Sequence, residues 1–128
     1  MRWLLPRATI RDVSRTVLIV DDHAHFRRTL RALLEADGFE VVGEAPDGRS
    51  AITETERLRP RLVLLDIQLP DLDGFEVAAR LKEGTHPPAI VLTSSRSASS
   101  YRRRLAQSDL GFIAKGELSG EALAGFFG

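Results

Sequence analysis

The stretch that most limits what this chain can fold into is Leu62-Val63-Leu64-Leu65-Asp66-Ile67-Gln68-Leu69-Pro70-Asp71-Leu72-Asp73-Gly74, an apolar run that stops on a carboxylate and then breaks at proline and glycine. Consecutive apolar residues without polar alternation suit a strand covered on both faces, as in a parallel sheet, although periodicity alone leaves a buried helix open. The flanks decide. Pro60 bars a long helix through the run and Pro70 stops regular structure from resuming; Asp73 can N-cap a new helix, with Glu76 three residues on completing a capping box. Asp66 is therefore expected at the carboxyl end of a central strand, the edge at which open α/β sheets bind ligands.

Other stretches repeat the pattern. Thr16-Val17-Leu18-Ile19-Val20 reads as a strand ending on Asp21-Asp22. From Ala24 to Ala36, Phe26, Leu30, Leu33 and Leu34 fall at helical spacing, with Arg27, Arg28, Arg31 and Glu35 elsewhere and Gly38 as the C-terminal cap. Phe39 to Ala45 sets Val41, Val42 and Ala45 against Glu40 and Glu44, an edge strand with one face near water. Asp47 caps a helix to about Arg59, whose stripe is Ala51, Ile52, Thr55 and Leu58 and which Pro60 ends. A third helix from Gly74 to about Glu83 buries Phe75, Ala78 and Leu81. Ala89-Ile90-Val91-Leu92 is a fourth apolar run, terminating on Thr93-Ser94-Ser95. Ser97 to Gln107 offers only Ala98, Tyr101 and Leu105 among serines and Arg102-Arg103-Arg104, so its helix is expected to be weakly held. Gly111-Phe112-Ile113-Ala114 makes a fifth strand ending on Lys115, and Ser119 caps a final helix through Phe127.

A chain of 128 residues suits one domain. Residues 1–14, with Arg2, Arg7 and Arg11 at no steady period, read as an extension before a domain over 15–128; Trp3, Leu4 and Leu5 could pack on a partner. Eighteen basic and eighteen acidic residues cancel, so no whole-protein field draws nucleic acid or an anionic membrane. The absence of cysteine excludes disulfides and thiolate chemistry and is compatible with a reducing compartment. No apolar run approaches the ~20 residues of a membrane helix, and Pro6 cuts the apolar start far short of a signal peptide, so a soluble cytoplasmic protein is expected. Arg102-Arg103-Arg104 reads as a solvated helix face, lacking the interleaved aromatics of a nucleic-acid patch. His23 and His25 lack a third ligand nearby, so no zinc site is expected.

Five β-α repeats call for a parallel sheet with right-handed crossovers and helices on both faces. The flavodoxin-like winding, strand order 2-1-3-4-5, puts strands one and three together at the switch point and gathers Asp21, Asp22 and Asp66, with Thr93 and Lys115 joining from strands four and five. Three carboxylates there raise one another's pKa unless a cation intervenes. All-oxygen donors that leave room for a phosphate suit Mg²⁺. Lys115 and Thr93 suit the equatorial oxygens of a phosphoryl group, and an ionised Asp66 needs no general base to attack phosphorus.

In order and spacing the chain resembles a response-regulator receiver domain of the CheY-like family, over roughly Arg15 to Gly128. Paired acids follow strand one, and an acid ends strand three with Pro70 and Gly74 beyond it. A hydroxyl ends strand four and a lysine strand five. The resemblance implies a phosphorelay in which a sensor histidine kinase or phosphotransfer protein donates to Asp66. Asp22 would bind Mg²⁺ directly, Asp21 through water and Gln68 through its main-chain carbonyl. Thr93 and Phe112 would be the switch pair, altering the helix 4 to helix 5 face that meets a downstream protein, an output domain or, as a phosphorylation-dependent dimer, a second copy. Departures are Gly116 where many receivers have proline, Phe112 for the frequent tyrosine, and Gln68 and Ser95 at variable positions lining the site.

The wording Asp21-Asp22-His23 and Lys115-Gly116-Glu117-Leu118 resembles receivers of helix-turn-helix transcription regulators, so the chain reads either as a stand-alone receiver or as the receiver half of such a regulator. Since the sequence stops at the fifth helix, no contact with nucleic acid or membrane is expected from it alone. A phosphatase of the haloacid-dehalogenase kind would carry a second acid two residues after Asp66, where Gln68 stands. Multiple turnover is not expected. A non-phosphorylated scaffold is the remaining rival.

Overall fold

The computed structural model describes residues 15–127, so the expected extension over residues 1–14 and the terminal Gly128 lie outside the described residues. The elements are β1 (Thr16–Val20), α1 (Ala24–Ala36), β2 (Glu40–Ala45), α2 (Gly48–Leu58), β3 (Leu62–Asp66), α3 (Gly74–Lys82), β4 (Ala89–Ser94), α4 (Arg102–Ala106), β5 (Gly111–Ala114) and α5 (Gly120–Ala124). One 3₁₀ turn, Ala98–Tyr101, leads into α4, and another, Lys115–Glu117, follows β5. All strand pairs are parallel, in the expected order β2-β1-β3-β4-β5.

Every residue of β1 and β3 is buried, as an unalternating apolar run requires. Because strand side chains alternate faces, Val63 and Leu65 pack with Ala51, Val77, Ala78 and Leu81 of α2 and α3. Leu62 and Leu64 face the other way, onto Leu30 and Leu34 of α1 and Leu123 of α5. The sheet is thus sandwiched between two apolar layers. Among the described residues no helix is long and apolar enough to cross a membrane.

Local chemistry explains the boundaries. Gly38, at φ 91°, ends α1 in the left-handed region, and Asp47 caps α2 by accepting from Ser50 N at 2.8 Å. Asp71 adds a second cap to α2, accepting from the amides of Gly48 (2.7 Å) and Arg49 (3.0 Å). Those bonds hold its carboxyl below the usual range, against a burial effect that acts to raise it. At β2 an extra residue enters the pairing with β1, so that Val17 faces Val41 but Leu18 faces Gly43. This bulge accounts for the adjacent Val41 and Val42, which simple alternation does not.

Three expectations need correction. The capping box at α3 does not close: Asp73 accepts from Phe75 N at 2.8 Å, whereas Glu76 turns to Arg80 at 3.1 Å. The helix expected over Ser97–Gln107 is a 3₁₀ turn followed by five α-helical residues. The last helix stops at Ala124, where the bonds tighten to Phe126 N on Leu123 O and Phe127 N on Ala124 O, and Phe127 packs against the Phe39 ring at 5.5 Å.

Gly74 is required by contact. A Cβ there would lie 2.6 Å from Asp66 O and from Ile67 Cα, main-chain atoms that cannot yield without moving Asp66. Gly74→Ala is therefore expected to cost about 1–3 kcal/mol in urea unfolding, while Gly116→Ala, which meets nothing within 4 Å, stays within about 0.5 kcal/mol.

Glu44 on β2 takes Arg27 Nε at 3.0 Å and Arg31 Nε at 2.7 Å. Burial acts to raise its pKa, but the two guanidiniums outweigh that and hold it below the usual value. The folded form therefore binds its proton less readily than the unfolded chain, so the contribution is present at neutral pH and lost as pH falls. Glu44→Gln should cost about 0.5–1 kcal/mol at pH 7, and this deficit should shrink as the pH falls through and below about 4.3.

Candidate functional site

The carboxyl ends of β1, β3, β4 and β5 meet as the strand order demands. Asp21 and Asp22 follow β1, Asp66 ends β3, and Thr93 stands opposite Asp66 in the β3–β4 register. Lys115 follows β5 and extends back across the edge, its Nζ 2.7 Å from Asp21 Oδ2 and 3.2 Å from Asp66 Oδ2. Its ammonium also lies 4.7 Å from the centroid of the Phe26 ring of α1. The chain makes this reach with Gly116, not proline, after the lysine.

Asp21, Asp66 and Thr93 are buried, at 1%, 3% and 2% exposure, while Asp22 opens to solvent. Asp21 Oδ1 accepts from His23 N at 2.8 Å, and Asp66 Oδ1 accepts from Gln68 N at 3.1 Å. Asp21 Oδ2 is buried and, among the described residues, has no aligned hydrogen-bond donor, while the Lys115 ammonium stands beside it as counter-charge.

The electrostatics follow from this crowding. Burial and the neighbouring Asp21 charge push the Asp66 carboxyl above its usual pKa, although Lys115 and the Gln68 amide oppose them. Burial also acts to raise Asp21, but Lys115 and the His23 amide outweigh it and hold Asp21 below the usual range. Lys115 is pushed up despite its burial, because both carboxylates favour the charged amine. Two buried carboxylates thus share one ammonium, with the carboxylate of Asp22 beside them at an edge open to solvent. Their oxygens, with His23 Nδ1, lie within 4.8 Å of one another. Hard oxygen donors and uncompensated negative charge make this pocket compatible with Mg²⁺.

The sequence reading placed no further ligand near His23 and His25, yet His23 stands among the acids. Its Nδ1 lies 3.1 Å from Asp21 Oδ1 and 3.0 Å from Asp22 Oδ1. Its adjacency to Asp22 was the signal in the sequence. Arg27 was also missed: it donates to the main-chain carbonyl of Asp21 while pairing with Glu44, tying β2 to the site. Ser94 does not cap the following helix; its Oγ accepts from Arg96 N at 3.0 Å and meets Tyr101 OH at 3.2 Å. Phe112 is half-buried beside the Tyr101 ring, at 6.3 Å. Gln68 is exposed and pairs with Asp73 across an isolated antiparallel bridge. The arginine run is exposed throughout, as a solvated helix face requires, and Arg104 in addition grips Asp73.

Residues 17–123 match the model of the response regulator receiver domain family. A protein of Pseudomonas aeruginosa described as a transcriptional regulator is 43% identical over 108 residues, covering 84% of this chain and 52% of the relative. The virulence-factor transcription regulator BvgA of Bordetella pertussis is 40% identical over 102 residues, covering 79% of this chain and 49% of the relative. This chain therefore spans about half the length of these curated relatives. Among solved structures, the signal receiver domain of the response regulator NarL from Mycobacterium tuberculosis superposes with a TM-score of 0.78 at 30% identity, covering 88% of this chain and 94% of that one. By the family match, the strand order and these relatives, the chain belongs to the response regulator receiver domains of two-component systems.

Proposed function

We propose that the chain is a phosphoacceptor switch: Asp66 takes a phosphoryl group from the phosphohistidine of a sensor kinase or phosphotransfer protein, and the protein-binding face changes in response. The observation that carries this reading is the ammonium of Lys115 bridging Asp21 and Asp66, with Thr93 in register beside the latter. In the transfer, an Asp66 oxygen bonds to phosphorus as the phosphorus–nitrogen bond breaks, and the electron pair leaves on the imidazole. Lys115 then faces the new phosphoryl oxygens and Thr93 donates its hydroxyl to one of them. Asp22, Asp66 and the Gln68 main-chain carbonyl would hold Mg²⁺ directly and Asp21 through water. When bound, the ion offsets charge developing on the transferring group. Thr93 drawn toward the phosphate leaves space into which Phe112 moves, coupling the site to the face from α4 to α5. With no second acid at Gln68 to drive hydrolysis, the chain accepts the group without acting as a turnover enzyme.

The names of the curated relatives support a second level of the reading, in which residues 15–128 are the receiver half of a longer transcription regulator acting in the cytoplasm. Nucleic-acid contact then belongs to an output domain outside this sequence. The α4 to α5 face would meet that domain, a downstream protein or, as a phosphorylation-dependent dimer, a second copy.

Incubation with a radiolabelled acyl phosphate and Mg²⁺ should label the wild type, and Asp66→Asn should reduce labelling to background; undiminished labelling would reject the assignment. Chelation of Mg²⁺ should abolish labelling in the wild type as well. Thr93→Ala separates capture from response: it should still be labelled, but the beryllofluoride-induced NMR shifts of Phe112 and α4 should fall to less than half of the wild-type amplitude.

A further inference from the structure

Helix α4 is five residues long, none of them buried, and starts from a single 3₁₀ turn. A helix this short does not persist on its own propensity, so its position depends on what grips it. Leu105 packs its side chain against the core below, and two polar contacts hold the helix from the sides. The guanidinium of Arg104 forks onto Asp73, Nη1 to Oδ2 at 3.0 Å and Nη2 to Oδ1 at 2.8 Å, and lies 4.1 Å above the Phe75 ring. Both the fork and the stacking are geometries that arginine supplies and lysine does not. One turn earlier, the buried Tyr101 places its hydroxyl 3.2 Å from Ser94 Oγ, with its ring between Phe75 at 6.2 Å and Phe112 at 6.3 Å.

The far end of each grip is attached to the reactive edge. Asp73 bridges to Gln68, whose amide donates to Asp66 Oδ1, and the next residue, Gly74, donates to Ile67 O at 2.8 Å. The loop from Asp66 to Gly74 is therefore one hydrogen-bonded piece that joins Asp66 to Asp73. Ser94 follows Thr93 directly in β4. One grip thus follows Asp66 and the other follows Thr93.

We propose that Arg104–Asp73 and Tyr101–Ser94 form a two-point clamp that seats α4 in the unphosphorylated arrangement and opens when Asp66 is modified. The proposal rests on Asp66 being the phosphoacceptor. Arg104 is about half exposed, so its pair is strong enough to bias the helix and weak enough to release. By linkage, whatever opens the clamp on binding at Asp66 must bind more tightly once the clamp is removed.

The test is calorimetric titration of the full chain with beryllofluoride at saturating Mg²⁺, together with amide hydrogen exchange of residues 98–107 without ligand. Arg104→Ala should bind about two- to fivefold more tightly than wild type and exchange faster in α4. Tyr101→Phe, which keeps the ring and loses only the hydroxyl, should shift both readouts in the same direction. Unchanged or weaker binding by both variants, with normal wild-type binding, would overturn the clamp alone. Absence of Mg²⁺-dependent binding by the wild type would overturn the phosphoacceptor reading, and the clamp with it.

Discussion

The site is organised by one ammonium held between two buried carboxylates. Taking charges out of water costs several kcal/mol each, and a single lysine cannot fully compensate Asp21, Asp66 and the nearby Asp22. The consequence is visible in the opposite displacements of the two buried acids: Asp21, closer to Lys115, stays readily ionised, whereas Asp66 is pushed toward its protonated form. On the proposed reading, an additional cation would relieve the residual repulsion, and a phosphoryl group would bring oxygens for the lysine to meet. The same imbalance that costs stability in the free chain would therefore favour the ligands proposed for this edge.

Such an imbalance persists only where the backbone leaves the acids little room to separate. Gly74 lies against the Asp66 carbonyl and Ile67 Cα so closely that a methyl group does not fit, and its amide binds Ile67 O. Beneath the edge, β1 and β3 are buried along their whole length. On the outer side, Arg27 links the Asp21 carbonyl to Glu44 of the edge strand. The acids are held by covalent geometry, close packing and a guanidinium strut, none of which needs the acids to be neutral.

The main features of this arrangement were legible in the sequence because they rest on periodicity and on what ends each run. Four apolar residues stopping at Asp66, and Val20 giving way to Asp21, state both the burial and the edge; the winding order then brings the acids together. What was not legible depends on side chains meeting across loops. His23 reaching two carboxylates, Arg104 finding Asp73 thirty-one residues away, and Asp71 capping α2 have no periodic signature. The short ends of α4 and α5 were misjudged for a related reason: a thin apolar stripe fixes that a helix exists but not how many turns the packing retains.

Stiffness is distributed unevenly, and the distribution suits a switch. The strands that carry the acids, β1 and β3, are fully buried, and the helices α1 to α3 beside them have thirteen, eleven and nine residues. The half that carries Thr93 and Lys115 ends in a four-residue strand and helices of five. A shift at the reactive edge will be taken up where the fewest buried apolar contacts resist it, which is around α4 and β5. A β5 of four residues flanked by α4 and α5 yields more cheaply than β3, so on the proposed reading the lysine that follows β5 has more freedom to move than the acid that ends β3.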